Sequence, residues 1–116
     1  MHILVNLASD QPARVAKAVR LASKLARSGW QATILLNVDA VSYARRRTES
    51  PACPVTGKPL HVLLEDFREL GTVLVGGDCL EAAGIDRADL VPGFEPTTPQ
   101  NMHAALTREG TQVFSY

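Results

Sequence analysis

Two hydrophobic patterns alternate along the chain. Short unbroken apolar runs, Ile3-Leu4-Val5, Ile34-Leu35-Leu36 and Val73-Leu74-Val75, are separated by stretches in which apolar residues return every three or four positions. Runs of the first kind make strands buried on both faces, and stretches of the second kind make amphipathic helices lying on a sheet. The first strand is predicted over residues 2 to 7. A helix follows, with Val15, Ala18, Val19, Ala22 and Leu25 on one face and Arg14, Lys17, Lys24 and Arg27 on the other. Ser9 or Asp10 is its expected cap, Pro12 suits its first turn, and Gly29 closes it.

The second strand is predicted over 30 to 37, followed by a short helix from Asp39 that ends in Arg45-Arg46-Arg47. Three arginines there suit the solvated carboxyl end of a helix, although such a run can also grip an anion. Residues 48 to 59 hold three prolines and a glycine and read as a long loop, either functional or mobile. Leu60, Leu63, Leu64, Phe67 and Leu70 then restore helical spacing up to Gly71. Beyond the strand at Val73-Leu74-Val75, Gly93-Phe94-Glu95 is a candidate short strand, Thr98-Pro99 opens a last helix that stops at Gly110, and Thr111 to Tyr116 forms a terminal strand with Val113 and Phe114 as its apolar pair.

Strand and helix therefore alternate from end to end. That order predicts one α/β domain, a three-layer α/β/α arrangement with a mostly parallel sheet of about five strands. A chain of 116 residues suits a single domain with a sizeable core. Twelve basic and twelve acidic side chains cancel, so the charge balance supports neither a nucleic-acid nor a membrane partner. With no secretory apolar segment and no run long enough to span a bilayer, the expected location is cytoplasmic. The two cysteines then read as thiols, ligands or a redox pair before they read as a structural bridge.

The candidate chemistry lies in Thr72 to Gly84. A buried strand ends at Val75, Gly76-Gly77 permits a sharp turn, Asp78 or its neighbour caps a short helix, and Gly84 ends it. Cys79 thus falls near a helix N-terminus at the carboxyl end of a strand, where ligands gather in open α/β sheets. The helix dipole favours its thiolate, and the adjacent Asp78 carboxylate opposes it. The competing reading is a core-filling cysteine, since this residue type is among the most buried.

Other chemistries find less support. Cys53, Cys79, His2, His61 and His103 share no metal-ligand spacing, so no metal or other cofactor is expected. His61 or His103 could pair with Cys79 only through the fold. Gly76-Gly77 and Gly84 do not form a dinucleotide fingerprint, and Thr56-Gly57-Lys58 lacks the earlier glycine of a phosphate loop. A phosphate at the helix after Gly77 would meet Asp78.

The segment Gly77-Asp78-Cys79-Leu80-Glu81-Ala82-Ala83-Gly84-Ile85 resembles the cysteine turn of the DsrE/DsrF-like family, the small sulfur-relay proteins that include TusD-type subunits. The resemblance extends over Ile3 to Leu7, Ala16 to Gly29, Ala32 to Leu36, Leu63 to Phe67, Val73 to Ile85, Asp89 to Gly93 and Met102 to Leu106. It implies an α/β/α sulfur carrier that assembles as a homotrimer or a larger ring such as a hexamer. Cys79 would accept sulfane sulfur from a donor protein as a persulfide and pass it to an acceptor protein. Such exchange proceeds by thiolate attack at sulfur, without metal or nucleotide. TusD-like members carry the cysteine earlier, where this chain has Val75-Gly76, and many members have Arg where this chain has Ala83. Cys53 has no family counterpart. It is either a thiol without a role or, with the loop folded over Cys79, an accessory that resolves a persulfide. The alternative function is a non-catalytic oligomeric module that binds a small ligand or a partner protein in the crevice beside Gly76 and Gly77.

Overall fold

A computed structural model describes all 116 residues. Five strands, β1 (His2–Leu7), β2 (Gln31–Leu36), β3 (Thr72–Val75), β4 (Glu95–Pro96) and β5 (Thr111–Ser115), form one sheet in the order β4-β3-β2-β1-β5. Every neighbouring pair is parallel. The N-terminal strand is interior, flanked by β2 and β5, which is why its apolar run is nearly unbroken: Ile3, Leu4, Val5 and Leu7 are all buried.

Four helices connect the strands: α1 (Pro12–Arg27), α2 (Leu60–Phe67), α3 (Gly77–Ala82) and α4 (Pro99–Thr107). The chain steps from β1 to β4 in one direction and then returns past β1 to β5. Right-handed crossovers place α1 and α2 on one face of the sheet and α4 on the other. The main core lies on the first face. Ile3, Val5, Ile34, Leu36, Val73 and Val75 pack there against Val15, Val19 and Ala22 of α1 and Leu60, Leu64 and Phe67 of α2. Leu4, Leu74 and Ala105 of α4 are buried outside that cluster, marking the second face. The predicted three-layer arrangement is therefore present, and the sheet is wholly parallel.

Local details depart from the sequence reading. The cap of α1 is Gln11, with no side-chain cap; Ser9 Oγ instead accepts the Gln11 N–H at 3.1 Å, which bends the chain into Pro12. The segment after β2 is a 3-10 turn over Val38–Ala44 rather than an α-helix from Asp39. The fourth strand is shifted to Glu95–Pro96, because Phe94 turns into the core and its N–H bonds to the Val91 carbonyl at 3.0 Å. The opening of α4 is as expected: Thr98 and Asn101 make a reciprocal capping box, with Pro99 in the first turn.

The 48–59 segment is stapled at its base. The Cys53 N–H donates to the Lys58 carbonyl at 2.7 Å, the Leu60 N–H donates to that of Pro51 at 2.9 Å, and Ala52 pairs with Pro59. Ser50 Oγ accepts the His61 N–H at 2.9 Å and lies 2.6 Å from His61 Nδ1. Each arginine of the basic run has a local role. Arg45 bridges Leu90, Arg46 donates to the Ala88 carbonyl at 2.8 Å, and Arg47 stands 4.8 Å from the Tyr43 ring centre.

Candidate functional site

The apolar run of β3 ends at Val75, whose carbonyl accepts the Thr97 N–H at 2.7 Å; the Gly76 N–H meanwhile donates to the Leu36 carbonyl at 2.8 Å. The two bonds hold the end of β3 between its neighbours. Gly76 is the cap residue of α3, with no side-chain cap bond, in place of the expected cap at Asp78 or its neighbour, so Asp78 and Cys79 both fall in the first turn of that helix. The Gly77 N–H, free of intrahelical duty at this position, donates to Thr97 Oγ1 at 3.1 Å.

Cys79 is half-buried and its sulfur is a free thiol. The hydrogen-bond partner of Sγ is the backbone N–H of Val38, at 3.2 Å. Val38 stands at φ 50°, a left-handed conformation that is costly for a β-branched residue. The peptide that carries this N–H follows Asn37, whose backbone is extended at φ −144° and ψ 172°. The space is tight on one side: a Cβ added at Gly76 would lie 3.3 Å from Cys79 Sγ and 3.5 Å from Asn37 Cβ. On the other side an open groove of about 490 Å³ is lined by Gly76, Gly77, Asp78, Cys79, Thr97 and Met102, among others. Asp78 is exposed beside it.

Polar residues extend the site across the carboxyl ends of the strands. Asn37 donates through Nδ2 to Asn6 Oδ1, and Asn6 donates through its own Nδ2 to Ser115 Oγ at 3.4 Å. The reversal of strand order falls between β1 and β5, the usual crevice for ligands. Here the Tyr116 N–H bonds to the Asn6 carbonyl at 2.8 Å and the Ala8 N–H to that of Tyr116 at 3.2 Å, tying those strand ends together. The open groove lies instead past β3, beside Cys79.

The other candidates have different surroundings. Cys53 is 1% exposed and belongs to the main core. Burial pushes its thiol up, but the hydrogen bonds of the Thr56 side chain and the Thr56 and Val55 backbone, with the Arg20 charge, outweigh this and hold it below the ordinary thiol range. Both cysteines are free, with no disulfide between them. Of the histidines, His2 contacts Thr33 and Thr111, and His61 contacts Ser50. No three His, Cys, Asp or Glu side chains converge as metal ligands. No helix is long and apolar enough to cross a membrane.

Val38, Asn37 and Thr97 were not singled out by the sequence reading. A weak signal existed for one of them: Asn6 and Asn37 each stand at or just past the end of an otherwise apolar strand, where a polar side chain has a reason to be. Val38 carried none, because its contribution is a backbone N–H.

No protein-family model matches the chain, and no curated protein matches it by sequence. Among solved structures, the ychN protein from E. coli shares the fold with a TM-score of 0.78 at 21% identity, over 99% of this chain and 97% of that one. The protein MTH1491 from Methanobacterium thermoautotrophicum, a protein of unknown function, does so with a TM-score of 0.77 at 15% identity, over 99% and 98%. At such identities the likeness establishes the fold alone.

Proposed function

We propose that this chain is an intracellular sulfur carrier of the DsrE/DsrF-like kind, accepting sulfane sulfur on Cys79 and passing it to a partner protein. The observation that carries the reading is the placement of Cys79 Sγ. Cys79 lines an open groove, and its sulfur has a backbone N–H from Val38 directed at it. The backbone donor holds the sulfur in one orientation beside the groove, and sulfur exchange proceeds by attack of a cysteine at sulfur.

In the proposed reaction the Cys79 thiolate attacks the outer sulfur of a donor persulfide. The bond between the two donor sulfurs breaks, the donor leaves as a thiolate, and Cys79 carries the transferred sulfur as a persulfide. A thiolate of the acceptor then attacks that terminal sulfur and Cys79 is released as a thiolate. The two steps exchange one sulfur–sulfur bond for another, so no external oxidant or reductant is required. Gly76 and Gly77 leave the approach to the sulfur free of side chains, and Asp78 borders the path by which a partner would approach.

The chain is further proposed to act as a homo-oligomer, a trimer or a hexamer. Supporting this, β5 is an edge strand whose Val113 and Phe114 are 54% and 43% exposed, an apolar edge of the kind that proteins usually cover.

The deciding experiment loads purified protein with a polysulfide and measures cyanide-labile sulfur. The proposal expects about one labile sulfur per chain on the wild type and on Cys53→Ser, and none on Cys79→Ser. Equal loading of all three, or none on the wild type, would remove the relay and leave a non-catalytic binding module using the groove beside Gly76 and Gly77. Light scattering on the same preparation reads the subunit number, and a monomer would remove the oligomer.

A further inference from the structure

A second concavity, of about 600 Å³, lies between α1 and α2 and shares no residue with the Cys79 groove. Its α1 wall carries Arg20, Lys24 and Arg27, spaced i, i+4 and i+7 on one helix face and spanning about 10 Å at 1.5 Å per residue. Lys58 adds a fourth cation from the stapled loop. Opposite them Leu63, Phe67 and Leu70 repeat the same spacing from α2 into the turn after it and form an apolar floor, with Asp66 the one carboxylate among the lining residues. The volume is within the range of small-molecule sites, and the combination of an apolar floor and a few convergent polar groups is what such sites share.

The charge is concentrated locally, since the whole chain is neutral. Like charges at helical spacing repel, and although Lys24 and Arg27 in the last turn of α1 suit the helix dipole, that dipole does not account for Arg20 or Lys58. The side-chain hydrogen bonds at the cleft run from Ser28 Oγ to the Lys24 carbonyl and from the Lys58 N–H to Thr56 Oγ1, and neither uses a cationic head. The cationic heads and the hydroxyl of Ser23 are therefore placed to meet an anion bearing several oxygens, while the floor suits an apolar or aromatic body. Guanidinium groups match phosphate oxygens in particular, two at a time. We infer that the cleft between α1 and α2 binds a small phosphorylated molecule with an apolar or aromatic body, its phosphate on Arg20, Lys24, Arg27 and Lys58 and its body on Leu63, Phe67 and Leu70. The site is independent of the sulfur chemistry proposed for Cys79.

The test is titration of the full chain with 1-naphthyl phosphate, followed by NMR of the leucine methyl and phenylalanine ring signals and by calorimetry. Two partial probes accompany it: tripolyphosphate, which has charge without the body, and 1-naphthol, which has the body without charge. ADP as a further probe distinguishes a nucleotide from a simpler aryl phosphate. The expected result is saturable binding of 1-naphthyl phosphate that shifts Leu63, Phe67 and Leu70 and is at least tenfold tighter than either partial probe. The double variant Arg20→Ala with Lys24→Ala should weaken it at least tenfold; both side chains are exposed, so the fold is unaffected. Leu70→Ser should weaken 1-naphthyl phosphate while leaving tripolyphosphate unchanged. Shifts confined to other residues, equal affinity for tripolyphosphate, or indifference to the double variant would each overturn the inference.

Discussion

The backbone N–H of Val38 donates to Sγ of Cys79 at 3.2 Å, joining residues 41 positions apart in the chain. The residue that supplies the N–H stands in a left-handed conformation, at φ 50°. The side chain of Val38 is 57% exposed and so contributes little packing to offset the strain. A β-branched residue held at positive φ by its surroundings is a strained element beside the one thiol that opens onto a groove.

Val38→Gly should therefore stabilise the fold. Glycine adopts this φ without the Cβ clash, which costs roughly 1–2 kcal/mol, and part of that gain is offset by glycine's greater freedom in the unfolded chain. The expected net change is about 1 kcal/mol, read as a higher urea midpoint at unchanged slope. A lower midpoint would show that the exposed side chain contributes packing that outweighs the strain.

Gly76 and Gly71 separate two kinds of crowding. At Gly76 the backbone, φ −57° and ψ 116°, accepts any residue, and an added methyl would lie 3.3 Å from Cys79 Sγ. Gly76→Ala should slow alkylation of Cys79 by iodoacetamide several-fold while changing stability by less than about 1 kcal/mol. At Gly71 the same methyl would stand 2.3 Å from the Ala32 carbonyl oxygen and 2.8 Å from the Phe67 ring. Gly71→Ala should cost about 2–3 kcal/mol in urea unfolding, because backbone cannot move aside as a side chain can.

His2 makes stability depend on pH. It is fully buried, with Nδ1 2.9 Å from Thr111 Oγ1 and Nε2 2.8 Å from Thr33 Oγ1. The Thr111 hydroxyl donates to the Arg108 carbonyl at 2.6 Å, so it accepts from His2 Nδ1–H, and Thr33 donates to the bare Nε2. Protonation of Nε2 would confront the Thr33 hydroxyl with a donor. Burial first, and then the charges of Arg108 and the N-terminus, hold the imidazole below its ordinary value of 6.5. The unfolded chain thus binds the proton more readily than the folded one. The contribution of neutral His2 is complete above the ordinary histidine range and is lost as pH falls from there toward the lowered folded value, by at most about 1.4 kcal/mol per pH unit. Unfolding midpoints measured from pH 7.5 down to 5 should fall, and His2→Gln should flatten the decline.

The two thiols should differ in rate. Cys53, although held below the ordinary thiol range, is buried, whereas Cys79 borders a groove. Accessibility governs reaction with a bulky disulfide reagent, so native protein should show one fast thiol per chain, absent in Cys79→Ser, and the second only on addition of denaturant. Two fast thiols would mean that the Cys53 loop opens in the native state.

Legibility followed the range of the interactions. The strands at Ile3, Ile34 and Val73, the helices at Val15 and Leu60, and the helix start at Thr98-Pro99 depend on neighbours within a few positions, and each is present where periodicity or local chemistry predicts it. The fourth strand was misplaced because Gly93-Phe94-Glu95 has no pattern of its own, and long-range burial of Phe94 moves the pairing to Glu95 and Pro96. Val113 and Phe114 are the apolar pair of the terminal strand, and their exposure follows from the place of β5 at the sheet edge, which their pattern does not reveal.

The same division holds at the candidate sites. Residue order alone is enough to place Cys79 near the start of a helix behind a strand, since glycines and an apolar run act over short distances, although the cap falls on Gly76 and not at Asp78. It could not supply the strand order, the Val38 donor to the sulfur, the Asn37–Asn6–Ser115 chain or the cleft joining Arg20 to Leu63. Each of these joins elements distant in the chain, and their juxtaposition is set by how the sheet is ordered and how the helices pack upon it, which no local pattern encodes.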